Sequence, residues 1–249
     1  MNKVCLFTDS KYLTKHFLDK FNKNELIIFT YNQANDDFDY ICSNHQLNLF
    51  KNNGYQIVEI DDKKDFKSLV DQFNVSKIYT LKSFLKIDKL IEVFPNTIIE
   101  DDLDLIAKSK EFLINANSKE FKKLTGFNYT FSGIVTLCNQ LGRTINFPTA
   151  NILTNPTLKI KSGVYLVKCI IDDHIVKYGM GDNWINRNNL MVFEANIFDF
   201  DKDIYSKKIT FEILKYIREN KKINSLDELV ELLENDRSTC LKLLEDNYE

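Results

Sequence analysis

Thr149 and Asn151 stand two residues apart, directly after Pro148, in the run Gly142-Arg143-Thr144-Ile145-Asn146-Phe147-Pro148-Thr149-Ala150-Asn151. On an extended segment that spacing points both side chains the same way. Pro148 fixes its own φ and biases Phe147 toward an extended conformation. Gly142 permits a tight turn, and Arg143 offers a forked cation suited to phosphate. Two neutral oxygens on one face, beside a fixed proline, suit a magnesium ion that already carries nucleotide phosphates, because magnesium takes hard oxygen ligands and shares its shell with phosphate and water. The same residues also fit an ordinary turn in which the Thr-Asn pair satisfies nearby backbone groups.

The second chemical candidate is Glu194, set between Met191-Val192-Phe193 and Ala195-Asn196-Ile197-Phe198. A carboxylate in an otherwise apolar strand either faces solvent at an edge or is placed for a purpose, such as accepting a proton. Asp199, Asp201 and Asp203 follow it. They resemble half of a calcium loop but lack its glycine and its closing glutamate, so a solvated turn is expected. No G-x-x-x-x-G-K-[ST] run occurs, and Gly179-Met180-Gly181 lacks the third glycine of a dinucleotide fingerprint. If the chain handles ATP, it does so by another design. His16 and His45 fall within helical patterns and His174 in a turn, so none marks a catalytic group.

Composition narrows the classes. The chain has 249 residues, 44% hydrophobic and 28% charged, enough for a real core and for one large or two ordinary domains. A formal net charge of -3 gives no global positive field, which argues against a nucleic-acid partner. The 5 cysteines form no C-x-x-C pair, so neither a disulfide framework nor a zinc site is expected. The N-terminus lacks a signal-peptide core, and no run approaches the roughly 20 apolar residues of a membrane helix. The expected location is cytoplasmic, with no membrane and no protein partner inferred.

Two patterns of elements must position these residues. In residues 1–125, short apolar strands near Val4–Thr8, Leu26–Phe29, Gln56–Ile60, Lys77–Thr80 and Thr97–Ile99 alternate with helical stretches. A helix from Asp9 or Ser10 through Phe21 is among them. This argues for an α/β domain with a parallel, Rossmann-like sheet. In residues 126–249, strands near Phe131–Cys138, Gly163–Ile171, Ile175–Met180, Leu190–Phe198 and Lys208–Ile217 follow one another with short turns. That pattern argues for an antiparallel sheet or small barrel. Asp172-Asp173-His174 reads as a hairpin turn. Two helices close the chain, the first opened by a capping box of Ser225 and Glu228.

From about Tyr129 onward the chain resembles the riboflavin kinase domain of bacterial bifunctional riboflavin kinase/FAD synthetases. The matching segments are Phe131-Ser132-Gly133-Ile134-Val135, Gly142-Arg143-Thr144, Pro148-Thr149-Ala150-Asn151, Ser162-Gly163-Val164-Tyr165, Phe193-Glu194, Ile197-Phe198-Asp199-Phe200, Asp203-Ile204-Tyr205, Tyr216-Ile217-Arg218-Glu219, the Leu226-Asp227-Glu228-Leu229 helix and Asp236. They occur in family order. The resemblance implies a six-stranded antiparallel barrel with C-terminal helices that transfers the ATP γ-phosphoryl group to the 5′-hydroxyl of riboflavin, giving FMN and ADP. It implies that Thr149 and Asn151 hold Mg2+ and phosphate, and that Gly142, Arg143, Pro148, Asp203 and Tyr205 lie on the nucleotide side. Glu194 is implied as the base on the flavin hydroxyl, and Arg218 belongs to the flavin-side loop.

The chain departs from the family pattern in several places. Asn146 and Ser206 stand where glycine is usual, and Asn196 where histidine is usual. Leu137-Cys138-Asn139-Gln140 replaces a glycine-richer run, and Gly181-Asp182-Asn183-Trp184 replaces a Gly-x-Arg-Pro-Thr turn. Residues 1–125 resemble the family's adenylyltransferase domain in outline only. The His-x-Gly-His motif is missing, and Ile106-Ala107-Lys108-Ser109-Lys110-Glu111-Phe112 has lost the arginine of a second motif. A degenerate domain follows, with FAD synthesis lost. Three functions remain: riboflavin kinase, the leading reading; a bifunctional kinase/FAD synthetase using other residues; and a catalytically decayed flavin or nucleotide binder.

Overall fold

The computed structural model describes residues 3–31, 39–61, 65–137, 141–154 and 159–248, without the side chains of Leu141, Arg143, Asn247 and Tyr248. The chain divides into two compact units. One comprises Met1–Asn35, Asp39–Phe112 and Phe121–Phe127; the other comprises Asp36–Phe38, Leu113–Glu120 and Asn128–Glu249.

The first unit holds five strands, β1 (Lys3–Asp9), β2 (Leu26–Tyr31), β3 (Gln56–Ile60), β4 (Val75–Leu81) and β5 (Ile98–Glu100), in the order β3-β2-β1-β4-β5. Every pairing is parallel. Cys5, Leu6 and Phe7 of the central β1 are all fully buried, as a strand covered on both faces requires. Phe7 stacks on Phe29 at 4.8 Å and meets Phe66 edge-on at 5.2 Å. The connecting helices begin on side-chain caps. The Ser43 hydroxyl accepts from Gln46 N ahead of the helix Asn44–Asn52, and Asp65 accepts from Lys67 N and Ser68 N ahead of Phe66–Phe73.

The stretch after β1 differs from the single helix expected there. It forms a short 3-10 turn, Ser10–Tyr12, and one helical turn, Lys15–Leu18. Asp9 does not cap it; its Oδ2 accepts from Leu85 N at 2.9 Å, tying the end of β1 to the loop after β4.

The second unit is a nearly closed antiparallel barrel of six strands, β6 (Thr130–Ile134), β7 (Thr149–Thr154), β8 (Val164–Ile171), β9 (Ile175–Ile185), β10 (Met191–Ile197) and β11 (Lys208–Arg218). Their order is β6-β11-β8-β9-β10-β7. A bridge between Thr136 and Asn151 brings the two ends of the sheet together. Phe131, Phe193 and Phe211 fill the interior, with Phe193 at 4.9 Å from each of the other two. The three-residue β8–β9 connection, Asp172 to His174, turns through Asp172 and Asp173 at φ of 49° and 62°, and His174 N donates to Ile171 O at 3.2 Å to close the turn. Cys138, expected at the end of the first barrel strand, lies outside the described residues.

One helix, Leu226–Tyr248, closes the chain where two were expected. No glycine or proline interrupts the sequence after Ser225, so nothing breaks it. Ser225 Oγ accepts from Glu228 N at 3.2 Å, while the Glu228 carboxylate reaches Asn224 N rather than the capping residue itself. The helix sets Val230, Leu233, Leu241 and Leu244 against Phe147, Val164, Leu166 and Met180. The strands β8, β9 and β11 thus bury one face inside the barrel and turn the other toward this helix.

Candidate active site

Alternation along β10 decides where Glu194 points. Phe193 and Ala195 on either side of it are fully buried, and their side chains both pack against Gly181. Glu194 therefore faces the opposite way. Antiparallel pairing sets Asn151 of β7 directly across from it on one side and Asp182 of β9 on the other.

Four side chains meet there. Thr149 Oγ1 donates to Glu194 Oε1 at 2.5 Å. Trp184 Nε1 donates to Glu194 Oε2 at 3.1 Å. Asn151 Nδ2 donates to Thr149 Oγ1 at 3.3 Å. Asn151 Oδ1 is buried with no hydrogen-bond partner. An orphaned amide oxygen beside a threonine hydroxyl is an all-oxygen donor pair of the kind a hard divalent cation takes. Among the described residues no group of three or more His, Cys, Asp and Glu is placed to hold a metal. A cation here would complete its shell from phosphate and water.

Two cavities open on this cluster. The first, about 480 Å³, is lined by Gly142, Thr149, Asp182, Trp184, Glu194 and Arg218, with Leu229 and Leu233 of the closing helix forming an apolar wall. The second, about 520 Å³, is lined by Pro148, Thr149, Asp203 and Tyr205 among others. Thr149 belongs to both. Of the residues expected at the site, Gly142, Thr149, Glu194 and Arg218 come together in the first cavity, and Pro148, Thr149, Asp203 and Tyr205 in the second. Asn151 joins them through Thr149. The Arg143 side chain lies outside the described side chains.

The loop before β7 is shaped by close backbone contact. Phe147 N donates to Gly142 O at 2.7 Å, and a Cβ on Gly142 would stand 2.1 Å from Phe147 O. Only glycine fits. Asn146 and Ser206, which replace glycines of the family pattern, sit at φ of 62° and 60°. The backbone is left-handed at both places although neither residue is glycine. Asn196, in place of histidine, donates from Nδ2 to Pro148 O at 2.8 Å and pins the start of β7.

Arg218 is held by Asp236 of the closing helix through two parallel bonds, Nε to Oδ1 at 2.8 Å and Nη2 to Oδ2 at 2.6 Å. Asp236 is 4% exposed, so the pair is a desolvated fork of the strong bidentate kind.

Sequence reasoning missed Asp182 and Trp184. The segment Gly181–Trp184, expected to replace a turn, is instead the continuation of β9, which runs to Ile185. Asp182 and Trp184 alternate onto the Glu194 face. Burial, and next the Glu194 carboxylate, push the Asp182 carboxyl up to about 6, while Arg218 pulls it down. The period-2 spacing of Met180, Asp182 and Trp184 carried that information.

Comparison with known proteins agrees with this architecture. Residues 125–244 match the riboflavin kinase (Flavokinase) family model. The trifunctional protein RibF/MnmA of Mycoplasmoides gallisepticum is 36% identical over 150 residues, 58% of this chain and 22% of that protein. The bifunctional riboflavin kinase/FMN adenylyltransferase of Bacillus subtilis is 34% identical over 125 residues, 48% of this chain and 40% of the relative. The chain thus spans less than half the length of these two relatives. A Streptococcus pneumoniae crystal structure titled as a macrolide-efflux protein shares the fold across 100% of this chain and 95% of its own, with a TM-score of 0.71 at 22% identity. Among the described residues no helix is long and apolar enough to cross a membrane.

Proposed function

We propose that this chain is an ATP-dependent riboflavin kinase that makes FMN and does not go on to make FAD. The observation that carries the reading is the place of Thr149, which lines both cavities and is hydrogen-bonded to Glu194. A phosphoryl transfer needs two substrates in separate pockets that share one wall at the reacting atoms, with an acceptor for the hydroxyl proton beside it.

In this reading riboflavin occupies the first cavity, its ring against the apolar wall of the closing helix and its 5′-hydroxyl at Glu194. ATP lies in the second, along Pro148, Asp203 and Tyr205. An ionised carboxylate has about four lone-pair sites, so Glu194 can still accept a proton while holding Thr149 and Trp184. As the flavin oxygen forms its bond to the γ-phosphorus, that proton passes to Glu194, and the bond from phosphorus to the bridging oxygen breaks to release ADP. Thr149 and Asn151 are the residues that would hold magnesium, whose charge offsets that of the nucleotide phosphates. The Arg218–Asp236 fork keeps the guanidinium at the flavin side.

The loss of FAD synthesis rests on the first unit. The turn after β1 contains no histidine, and the Asp9 carboxylate there is engaged by Leu85 N. The His-x-Gly-His motif, whose histidines would stabilise charge on a reacting α-phosphate, is missing from the sequence. A cytoplasmic location fits both substrates. Incubation with riboflavin, ATP and magnesium, followed by chromatography of the flavins, tests the reading. FMN alone is expected; FAD overturns the view of the first unit, and unchanged riboflavin overturns the kinase.

A further inference from the structure

Trp184 is the one tryptophan of the chain, and it lines the first cavity. It lies on β9 two residues beyond Asp182, so both side chains face Glu194. Glu194 is in direct register with Asp182, whereas Trp184 is in register with Val192 and reaches Glu194 diagonally. Diagonal neighbours on an antiparallel sheet are within reach of a large aromatic side chain. Like charges directly opposite each other repel, and here the Asp182 Oδ1 atom is buried without a partner.

The Glu194 carboxylate is therefore subject to opposed influences. Thr149 and Trp184 each donate to one of its oxygens, and Asp182 pushes from across the strand. We propose that Trp184 is a positioning residue for Glu194, its indole N–H holding the carboxylate in place beside Thr149 against the facing charge of Asp182. Together Asp182 and Trp184 form a device built into β9, where the family pattern has a turn. This rests on the kinase reading for its consequence in turnover, while the contact itself stands independently of activity.

The lone tryptophan makes the contact directly observable. Its emission maximum is expected to shift in Glu194→Ala relative to the unaltered protein, and an unchanged spectrum overturns the inference. For turnover, Trp184→Phe keeps an aromatic ring and deletes the donor. Loss of one hydrogen bond to a charged group corresponds to a fall in kcat of about 10- to 100-fold, with KM for ATP unchanged. Adding Asp182→Asn to Trp184→Phe removes the opposing charge and is expected to recover part of the lost kcat, which a purely structural defect would not do. A Trp184→Phe protein as fast as the unaltered one, or a double variant with no recovery, overturns the inference while the kinase reading stands. An unaltered protein that forms no FMN overturns the kinase reading and the consequence for turnover, while the emission shift in Glu194→Ala still decides the contact.

Discussion

Thr149 and Glu194 lie on adjacent strands, offset by two positions along the register, and are joined by a 2.5 Å hydrogen bond from hydroxyl to carboxylate. The register places Asn151 opposite Glu194, and the two-residue spacing returns Thr149 to the same face. One residue of slip in this pairing would send Glu194 into the aromatic interior of the barrel. The geometry of the candidate site is thus a property of strand pairing, fixed before any ligand arrives.

Glu194→Gln keeps the shape of the side chain and removes its basicity. A positioned general base contributes about 10²–10⁴-fold, so kcat for FMN formation is expected to fall by that range while KM for ATP changes little. Steady-state kinetics with ATP as the varied substrate checks both numbers.

Asn151→Leu removes the orphaned Oδ1 and leaves the strand intact. The magnesium concentration for half-maximal FMN formation is expected to rise about 10-fold, as for the loss of one charge-assisted contact. Thermal stability is expected to hold or improve, because a buried amide oxygen without a partner is a cost to the fold. A variant with unchanged magnesium dependence would remove Asn151 from the proposed metal site.

Asp236→Ala leaves the Arg218 guanidinium without its fork. Breaking a buried pair by deleting one partner costs about 3–5 kcal/mol, and the partial exposure of Arg218, 19% of its side chain, puts the expected loss at the lower end. The urea midpoint should fall accordingly, and riboflavin should bind more weakly as the arginine loses its orientation.

Asp182 makes stability depend on pH with a definite sign. Its carboxyl is raised from the ordinary 3.8 to about 6 in the folded protein, so between those values the folded state binds more proton than the unfolded chain. Unfolding free energy therefore decreases as pH rises through this window, and above about 6 the burial of the charge weighs in full. Asp182→Asn should gain about 3 kcal/mol at neutral pH and above. The gain should vanish below the ordinary carboxyl value, where both forms are uncharged. Urea unfolding across the pH range tests the sign.

Much of this arrangement was legible in the sequence, because strand alternation and the Pro-Thr-Ala-Asn spacing are local properties. The residues 148–151 and Glu194 could be singled out before any coordinates. Asp182 and Trp184 show only a short period-2 spacing with Met180, too brief to mark a strand, because the extension of β9 depends on its pairing with β8 and β10. The helix expected after β1 failed for a similar reason. Asp9 looked like a local cap, but its carboxylate is claimed by Leu85, 76 residues away. Tertiary hydrogen bonds of that range leave no periodic trace in the chain.

In the proposed reaction the γ-phosphoryl group of ATP passes to riboflavin. The most direct measurement uses ATP labelled in its γ-phosphate, riboflavin and magnesium, with the label followed into the flavin fraction. Label is expected in FMN, strongly reduced in Glu194→Gln, with none carried into flavin from ATP labelled in its α-phosphate. Absence of γ-label from the flavin would rule out the kinase reaction.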